Sequence, residues 1–185
     1  MDAETRDDIM TLWIFGYGSL LWNPGFTPVT AIKATLHDYH RRFCMLSIHH
    51  RGTEEDPGLV LALDATPGGR CTGMAFEVDD AERDGVLTML RERELVSSAY
   101  VERQVKLTTD GGDEIDALTY VIETDHVQNC EFDLEKQAQM IARAVGGRGP
   151  NTEYLYNTAD HLTELGIRDD DMTWLLNRVR TITAK

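Results

Sequence analysis

Residues 13–22 read Trp-Ile-Phe-Gly-Tyr-Gly-Ser-Leu-Leu-Trp, an apolar run that breaks into a Gly-x-Gly-Ser turn and becomes apolar again. A strand that stops in glycines leaves several backbone N–H groups without ladder partners. Two glycines also let that backbone approach a ligand closely and adopt positive φ. The chemistry on offer is capture of a small anion such as a carboxylate. The turn is not a Walker A loop, because no Gly-Lys-Ser/Thr follows at the required spacing. Nor is it a dinucleotide fingerprint, since a third glycine and a following helix are missing. Ser19 lacks the Gly-x-Ser-x-Gly elbow of a serine hydrolase, so a hydroxyl donor is the better role for it. His49 and His50 are adjacent, face opposite sides of any strand, and cannot form a metal pair alone. No other His, Asp or Glu set has ligand spacing, so no metal is expected.

Short β-like segments must position this turn. After the opening strand come 29–36, 43–48, 59–63 and 72–78, rich in β-branched or aromatic residues and bounded by Gly, Pro or Asp. Asp79 and Asp80 cap a helix over 81–94, where Val86, Met89 and Leu90 share a face. The runs 101–108 and 115–122 flank Asp110-Gly111-Gly112-Asp113, a strong hairpin signal. The last third changes period. Leu134, Ala138, Ile141 and Val145 repeat at helical spacing between an Asp133 cap and a Gly146-Gly147 stop. A second helix starts near Asn151, read as its cap, and stops at Gly166. A third begins in Asp169-Asp170-Asp171, whose charges suit a helix N-terminus, and buries Met172, Leu175, Leu176 and Val179. Strands first and helices after predict one α+β domain over 1–185.

The 185 residues are enough for one domain with a proper core. With 42% hydrophobic and 27% charged residues the chain is globular rather than disordered. Its 18 basic and 32 acidic residues leave a net charge of −14, which argues against nucleic acid or an anionic membrane as partner. A small anionic ligand would need a locally positive pocket, for which Arg41, Arg42, Arg51 and the glycine turn are the nearest sources. Cys44, Cys71 and Cys130 are odd in number and far apart, so they make neither a disulfide framework nor a zinc site. The start Met1-Asp2-Ala3-Glu4 shows no basic n-region, and no segment approaches a membrane span. A soluble, cytoplasmic protein acting on a small molecule is expected.

Phe15-Gly16-Tyr17-Gly18-Ser19-Leu20-Leu21-Trp22 resembles the signature of the gamma-glutamylcyclotransferases, and of their ChaC-like, glutathione-specific branch in particular. Arg41-Arg42-Phe43, His50-Arg51-Gly52-Thr53, Pro57-Gly58, Gly73-Met74-Ala75-Phe76, Arg91-Glu92-Arg93 and the segment from Gly149 to Leu155 stand in the order expected of that branch. The resemblance implies a small mixed β-barrel with flanking helices. It also implies a lyase that converts the gamma-glutamyl part of glutathione into 5-oxoproline and releases Cys-Gly. Phe15, Gly16, Tyr17, Gly18, Ser19 and Leu20 are then the substrate cradle, and Glu92 matches the acid/base glutamate.

Such a cyclisation is intramolecular: the substrate's own α-amine attacks its γ-carbonyl. The enzyme needs no protein nucleophile; it must bend the substrate and move a proton. Glu92 stands near the C-terminal end of the predicted helix, whose negative pole raises a carboxylate's pKa. Arg91 and Arg93 are expected on other faces. Glu94 is the competitor, not separable by spacing alone. Tyr154 reads equally as a site hydroxyl or as core. Arg42 and Arg51 read as substrate-orienting groups or as members of buried ion pairs. Three departures from the branch stand out: Cys44 in place of an aromatic, His49 in place of an acid, and Leu95-Val96-Ser97-Ser98-Ala99 in place of a short glycine-containing segment. They leave other gamma-glutamyl amino acids or amines open as substrates. A non-catalytic module that binds a small acid with the same cradle is the reading from another class.

Overall fold

The computed structural model describes residues 10–95 and 99–184. Five strands close into a barrel: β1 (Leu12–Gly16), β2 (Ala31–Ser47), β3 (Gly58–Val78), β4 (Tyr100–Thr109) and β5 (Glu114–Ile122). Their order around the barrel is β1-β3-β2-β4-β5. All neighbours are antiparallel except β1 and β5, which meet in parallel at Ile14 and Leu118. The closing contacts are short: Ala34–Leu36 pair with Leu107–Thr109 between β2 and β4, and β1 meets β5 only at Ile14 and Leu118. The α+β domain read from the sequence pattern, and the small mixed barrel implied by the family resemblance, are the fold observed.

Four of the predicted short strands are two long ones. Segments 29–36 and 43–48 merge into β2, and 59–63 and 72–78 into β3, which pair from Ala31–Phe76 to Ser47–Gly58. Within β3, Pro67, Gly68 and Gly69 mark an irregularity in pairing rather than an end. Register shifts between His37 and Tyr39, where Asp38 takes φ 67° and its carboxylate accepts from the Gly68 N–H at 2.9 Å. Such bulges bend strands as barrel closure requires.

Helix α1 (Arg83–Glu94) follows a 3-10 turn at Asp80–Glu82, with the Asp79 carboxylate accepting from the Ala81 N–H. It packs Val86 and Leu90 onto Leu12, Ile14, Val78 and Tyr120. Helices α2 (Leu134–Arg143), α3 (Asn151–Glu164) and α4 (Asp170–Thr183) cover another part of the barrel. Ala138, Ile141, Leu155, Leu162, Leu175 and Val179 join Phe43, Leu59 and Leu61 in the main core. The Asp133 and Asp169 caps form as expected. Val145 does not belong to α2. It is exposed and starts a two-residue strand, β6 (Val145–Gly146), paired with β7 (Gly149–Pro150).

Asn151 is not the cap of α3; Pro150 holds that position. Asn151 is fully buried, and its side chain exchanges two hydrogen bonds with the Leu59 backbone. Leu59 N–H donates to Oδ1 at 2.8 Å, and Nδ2 donates to the Leu59 carbonyl at 2.8 Å. The amide thus continues the β3 ladder into α3. Asn151→Ala would strand both backbone groups in a dry interior, at a cost of about 2–4 kcal/mol. A urea or thermal unfolding comparison should show this loss; a change under ~1 kcal/mol would refute the anchoring role.

Candidate active site

The glycine turn leaves the end of β1 and is held in both cores. Tyr17 and Leu21 belong to the main cluster, whereas Leu20 belongs to the one beneath α1. Arg41 fastens it from within: its Nε donates to the Tyr17 carbonyl at 2.7 Å, and its other nitrogens bond the Thr72 carbonyl and Asp169. The Tyr17 hydroxyl donates to the Tyr120 carbonyl at 2.7 Å. A 3-10 turn at Ser19–Leu21 then carries the chain away. A helical start leaves its first N–H groups without internal acceptors. Among the described residues, none engages the N–H of Gly18, Ser19 or Leu20.

Neither glycine of the turn has positive φ, contrary to expectation. Gly18 sits at φ −134°, and their smallness serves close approach instead. A Cβ on Gly16 would lie 3.0 Å from both Leu20 Cβ and Phe76 Cε2. One on Gly18 would lie 3.3 Å from the Tyr154 hydroxyl.

Tyr17, Gly18, Ser19 and Leu20 form one wall of a small cavity of about 30 Å³, which Glu94, Tyr100 and Tyr154 close. Tyr100 donates to the Leu61 carbonyl at 2.7 Å, and the Tyr154 oxygen accepts from the Leu61 N–H at 3.2 Å. That leaves the Tyr154 proton available to the cavity. Burial first, and then neighbouring acidic groups, hold the phenols of Tyr17 and Tyr100 well above their usual range. Burial likewise raises Tyr154. All three are therefore neutral hydrogen-bonding groups at physiological pH.

Glu94 is the carboxylate of this cavity. Its side chain is only 15% exposed, and burial pushes its pKa up, partly offset by Arg93 and Arg148. Glu92 is exposed on the outer side of α1 and lines neither this cavity nor the one adjoining it. Helix geometry is the reason: Val86, Leu90 and Glu94 recur every four residues on the inner face. Position 92 lies about 200° around from 94. The assignment of Glu92 to the site is therefore corrected to Glu94. The sequence carried the signal, because extending the apolar face of Val86 and Leu90 by one turn arrives at residue 94.

The other expected residues divide. Tyr17, Gly18, Ser19, Leu20 and Tyr154 meet at the cavity. Tyr154 is also core, with edge contacts to Trp22 and Phe43. Phe15 and Gly16 stand behind the wall. Phe15 is fully buried and its carbonyl accepts from Thr119 Oγ1 at 3.0 Å; the Gly16 backbone packs on Gly73. Arg42 is not in the site. Strand alternation sends Arg41 inward, while Arg42 pairs with Asp64 at 3.2 Å in a separate cavity of about 360 Å³. Arg51 is buried, bound to the Pro150 carbonyl at 3.1 Å and to Glu153 at 3.4 Å, which is its structural reading. Arg93 was not anticipated. It donates to Ser19 Oγ at 3.0 Å and lies 3.4 Å from Glu94, so it ties the end of α1 to the glycine turn.

Beyond Ser19, Glu94, Tyr100 and Tyr154 the small cavity adjoins a larger one of about 560 Å³, which reaches Trp22, Met45, His49, His50 and Arg148. Of the departing segment Leu95–Ala99, residues 96–98 lie outside the described residues. The arrangement can hold a small acid against free N–H groups and set a proton carrier opposite it.

Three comparisons bear on this geometry. The glutathione-specific gamma-glutamylcyclotransferase of Escherichia coli is 36% identical over 182 residues, covering 97% of this chain and 78% of that protein. The protein of that name from Schizosaccharomyces pombe is 34% identical, covering 88% of each. The crystal structure of a glutathione-specific gamma-glutamyl cyclotransferase from yeast superposes with TM-score 0.83 at 21% identity, over 92% of this chain and 96% of that one, and shares its fold. The sequence model of the ChaC-like protein family matches residues 12–182, and the chain belongs to that family.

Proposed function

We propose that this protein is a gamma-glutamylcyclotransferase that cleaves glutathione to 5-oxoproline and Cys-Gly, with Glu94 as its acid and base. The observation that carries the reading is the placement of Glu94: a largely buried carboxylate facing the Tyr17–Leu20 turn across a cavity closed by neutral tyrosines. The names of the Escherichia coli and Schizosaccharomyces pombe relatives support the substrate. A small-molecule substrate in a protein without metal or organic cofactor completes the proposal, and the cytoplasm, where glutathione is abundant, is the compartment it implies. Among the described residues, no helix is long and apolar enough to cross a membrane.

The reaction follows from the parts. The N–H groups of Gly18, Ser19 and Leu20 receive the α-carboxylate of the γ-glutamyl group, or its carbonyl oxygen as charge develops there. Held bent where the small cavity opens into the larger one at Ser19, Glu94, Tyr100 and Tyr154, the substrate brings amine and γ-carbonyl together, a proximity effect worth ~7–11 kcal/mol in ideal cases. Ionised Glu94 takes a proton from the ammonium, and the freed amine attacks the γ-carbon. The new C–N bond closes the lactam as the bond to the cysteine nitrogen breaks. Glu94 returns its proton to that nitrogen, and the ring nitrogen, which still carries two protons, gives up one by the same route, so that the neutral lactam and the ammonium form of Cys-Gly leave and the carboxylate is regenerated. The tyrosines, fixed in the neutral form, hydrogen-bond without competing for this proton.

Purified protein incubated with glutathione should yield 5-oxoproline and Cys-Gly in equal amounts. Free glutamate would indicate a hydrolase instead, and calorimetric binding without product would leave only an acid-binding module. A panel of gamma-glutamyl amino acids and amines compared by kcat/KM separates glutathione from other leaving groups. Glu94→Gln should lower kcat by at least ~100-fold, whereas Glu92→Gln should retain kcat within about twofold. The opposite pattern would restore Glu92 to the role.

The raised pKa of Glu94 has two consequences of opposite use. Protonated Glu94 cannot accept the ammonium proton, so kcat/KM should fall with decreasing pH through an apparent pKa above the ordinary glutamate value of 4.5. A limb at or below that value would mean that Glu94 is not the base. Stability runs the other way. The folded state holds this proton more tightly than the unfolded one, so the favourable contribution present below 4.5 is lost as pH rises through the folded value. Glu94→Gln should therefore be more thermostable than the parent at pH 8, with the advantage vanishing near pH 4. Equal melting temperatures at pH 8 would contradict the desolvation.

A further inference from the structure

The larger cavity lies on the side where the leaving group must emerge, and its cations are not equivalent. Arg51 is committed to the Pro150 carbonyl and Glu153, and Arg93 to Ser19 and Glu94. Arg148 lines the same cavity, and among the described residues its guanidinium has neither a carboxylate partner nor a side-chain hydrogen bond. Its backbone is nevertheless well placed. Arg148 occupies the tip between β6 and β7, whose pairing joins Val145 to Pro150 and Gly146 to Gly149. That tip is docked on the loop after β2: Gly147 N–H donates to the His49 carbonyl at 2.7 Å, and Arg148 N–H to the His50 carbonyl at 2.9 Å. The docking demands glycine at 146, where a Cβ would come within 2.5 Å of the Arg51 and Gly52 nitrogens. A rigid hairpin thus carries an uncommitted guanidinium to the mouth of a site in a protein of net charge −14.

Resting on the cyclotransferase reading, we propose that Arg148 is a specificity residue that receives the terminal carboxylate of the departing peptide. Guanidinium and carboxylate match as paired donors and acceptors, and their bond is stronger than a neutral one. The positive field is local: besides burial, Arg148 lowers the pKa of His50, and it also acts on Glu94. A γ-glutamyl substrate with an acid at its far end would be drawn there. One with an amide or a neutral amine would gain nothing from it. The site would thus favour γ-glutamyl peptides over γ-glutamyl amines through a residue remote from the bond that breaks.

The test compares glutathione with its C-terminal glycinamide, following 5-oxoproline release from the full chain and from Arg148→Ala and Arg148→Lys. Because Arg148 also acts on Glu94, its loss changes the chemical step for both substrates alike, and the ratio of their kcat/KM values cancels that effect. In Arg148→Ala the preference for glutathione over the glycinamide should fall about 3–10-fold, carried by KM. Arg148→Lys should restore part of it. An unchanged ratio in Arg148→Ala, whatever the absolute rates, would overturn the assignment. Absence of 5-oxoproline from the parent protein on either substrate would instead remove the cyclotransferase reading, and this inference with it.

Discussion

The buried guanidinium of Arg41 is the interaction on which the site depends. Its side chain is 4% exposed, and it bonds the Tyr17 carbonyl, the Thr72 carbonyl and Asp169. One side chain on β2 thereby joins the end of β1, the middle of β3 and the start of α4. A charge taken out of water is tolerated only when its donors are satisfied, so all three partners are held in place at once. The consequence is directional. With the Tyr17 carbonyl turned inward to Arg41, the following N–H groups of Gly18, Ser19 and Leu20 have no acceptor among the described residues.

Opposite this wall, the fold accepts an unfavourable placement. Glu94 continues the inner face of α1 and is buried beyond Leu90, where a leucine would pack without penalty. Arg93 relieves part of the cost from a position tied to Ser19. A carboxylate kept poorly solvated near one compensating cation is a better proton carrier than a wet one, and a poorer contributor to stability. The same economy governs the cations. In a chain with 32 acidic and 18 basic residues, Arg51 and Arg93 at the larger cavity each have a carboxylate partner, whereas Arg148 has none among the described residues.

Much was legible before any coordinates. The strand ending in glycines, the hairpin at residues 110–113, the Asp79, Asp133 and Asp169 caps and the stop at Gly166 are local events, governed by turn and capping chemistry. What misled was punctuation and phase. Thr66-Pro67-Gly68-Gly69 looks like a strand end yet sits inside β3, because a closed barrel needs bends within long strands. Asn151 has the residue type of a cap, but a buried β3 backbone competes for its amide and wins. Glu92 and Glu94 differ only in which side of one helix turn they occupy. The apolar residues at 86 and 90 settle that, and local charge alternation in Arg91-Glu92-Arg93-Glu94 hides it.

The order of the chain determined the glycine turn, the helix caps and the hairpin, since each rests on residues near one another in sequence; the closed barrel, implied by the family resemblance, is built from pairings as distant as Ile14 with Leu118. Only the tertiary structure decided which glutamate faces the turn, that Arg42 belongs to another cavity, and that of Arg51, Arg93 and Arg148 at the larger cavity the first two are held by carboxylates. Those outcomes depend on which partners the folded barrel brings to each charge. An arginine's role is set by the carboxylates and carbonyls within reach, and for Arg41 and Arg51 the carboxylates come from Asp169 and Glu153, far along the chain.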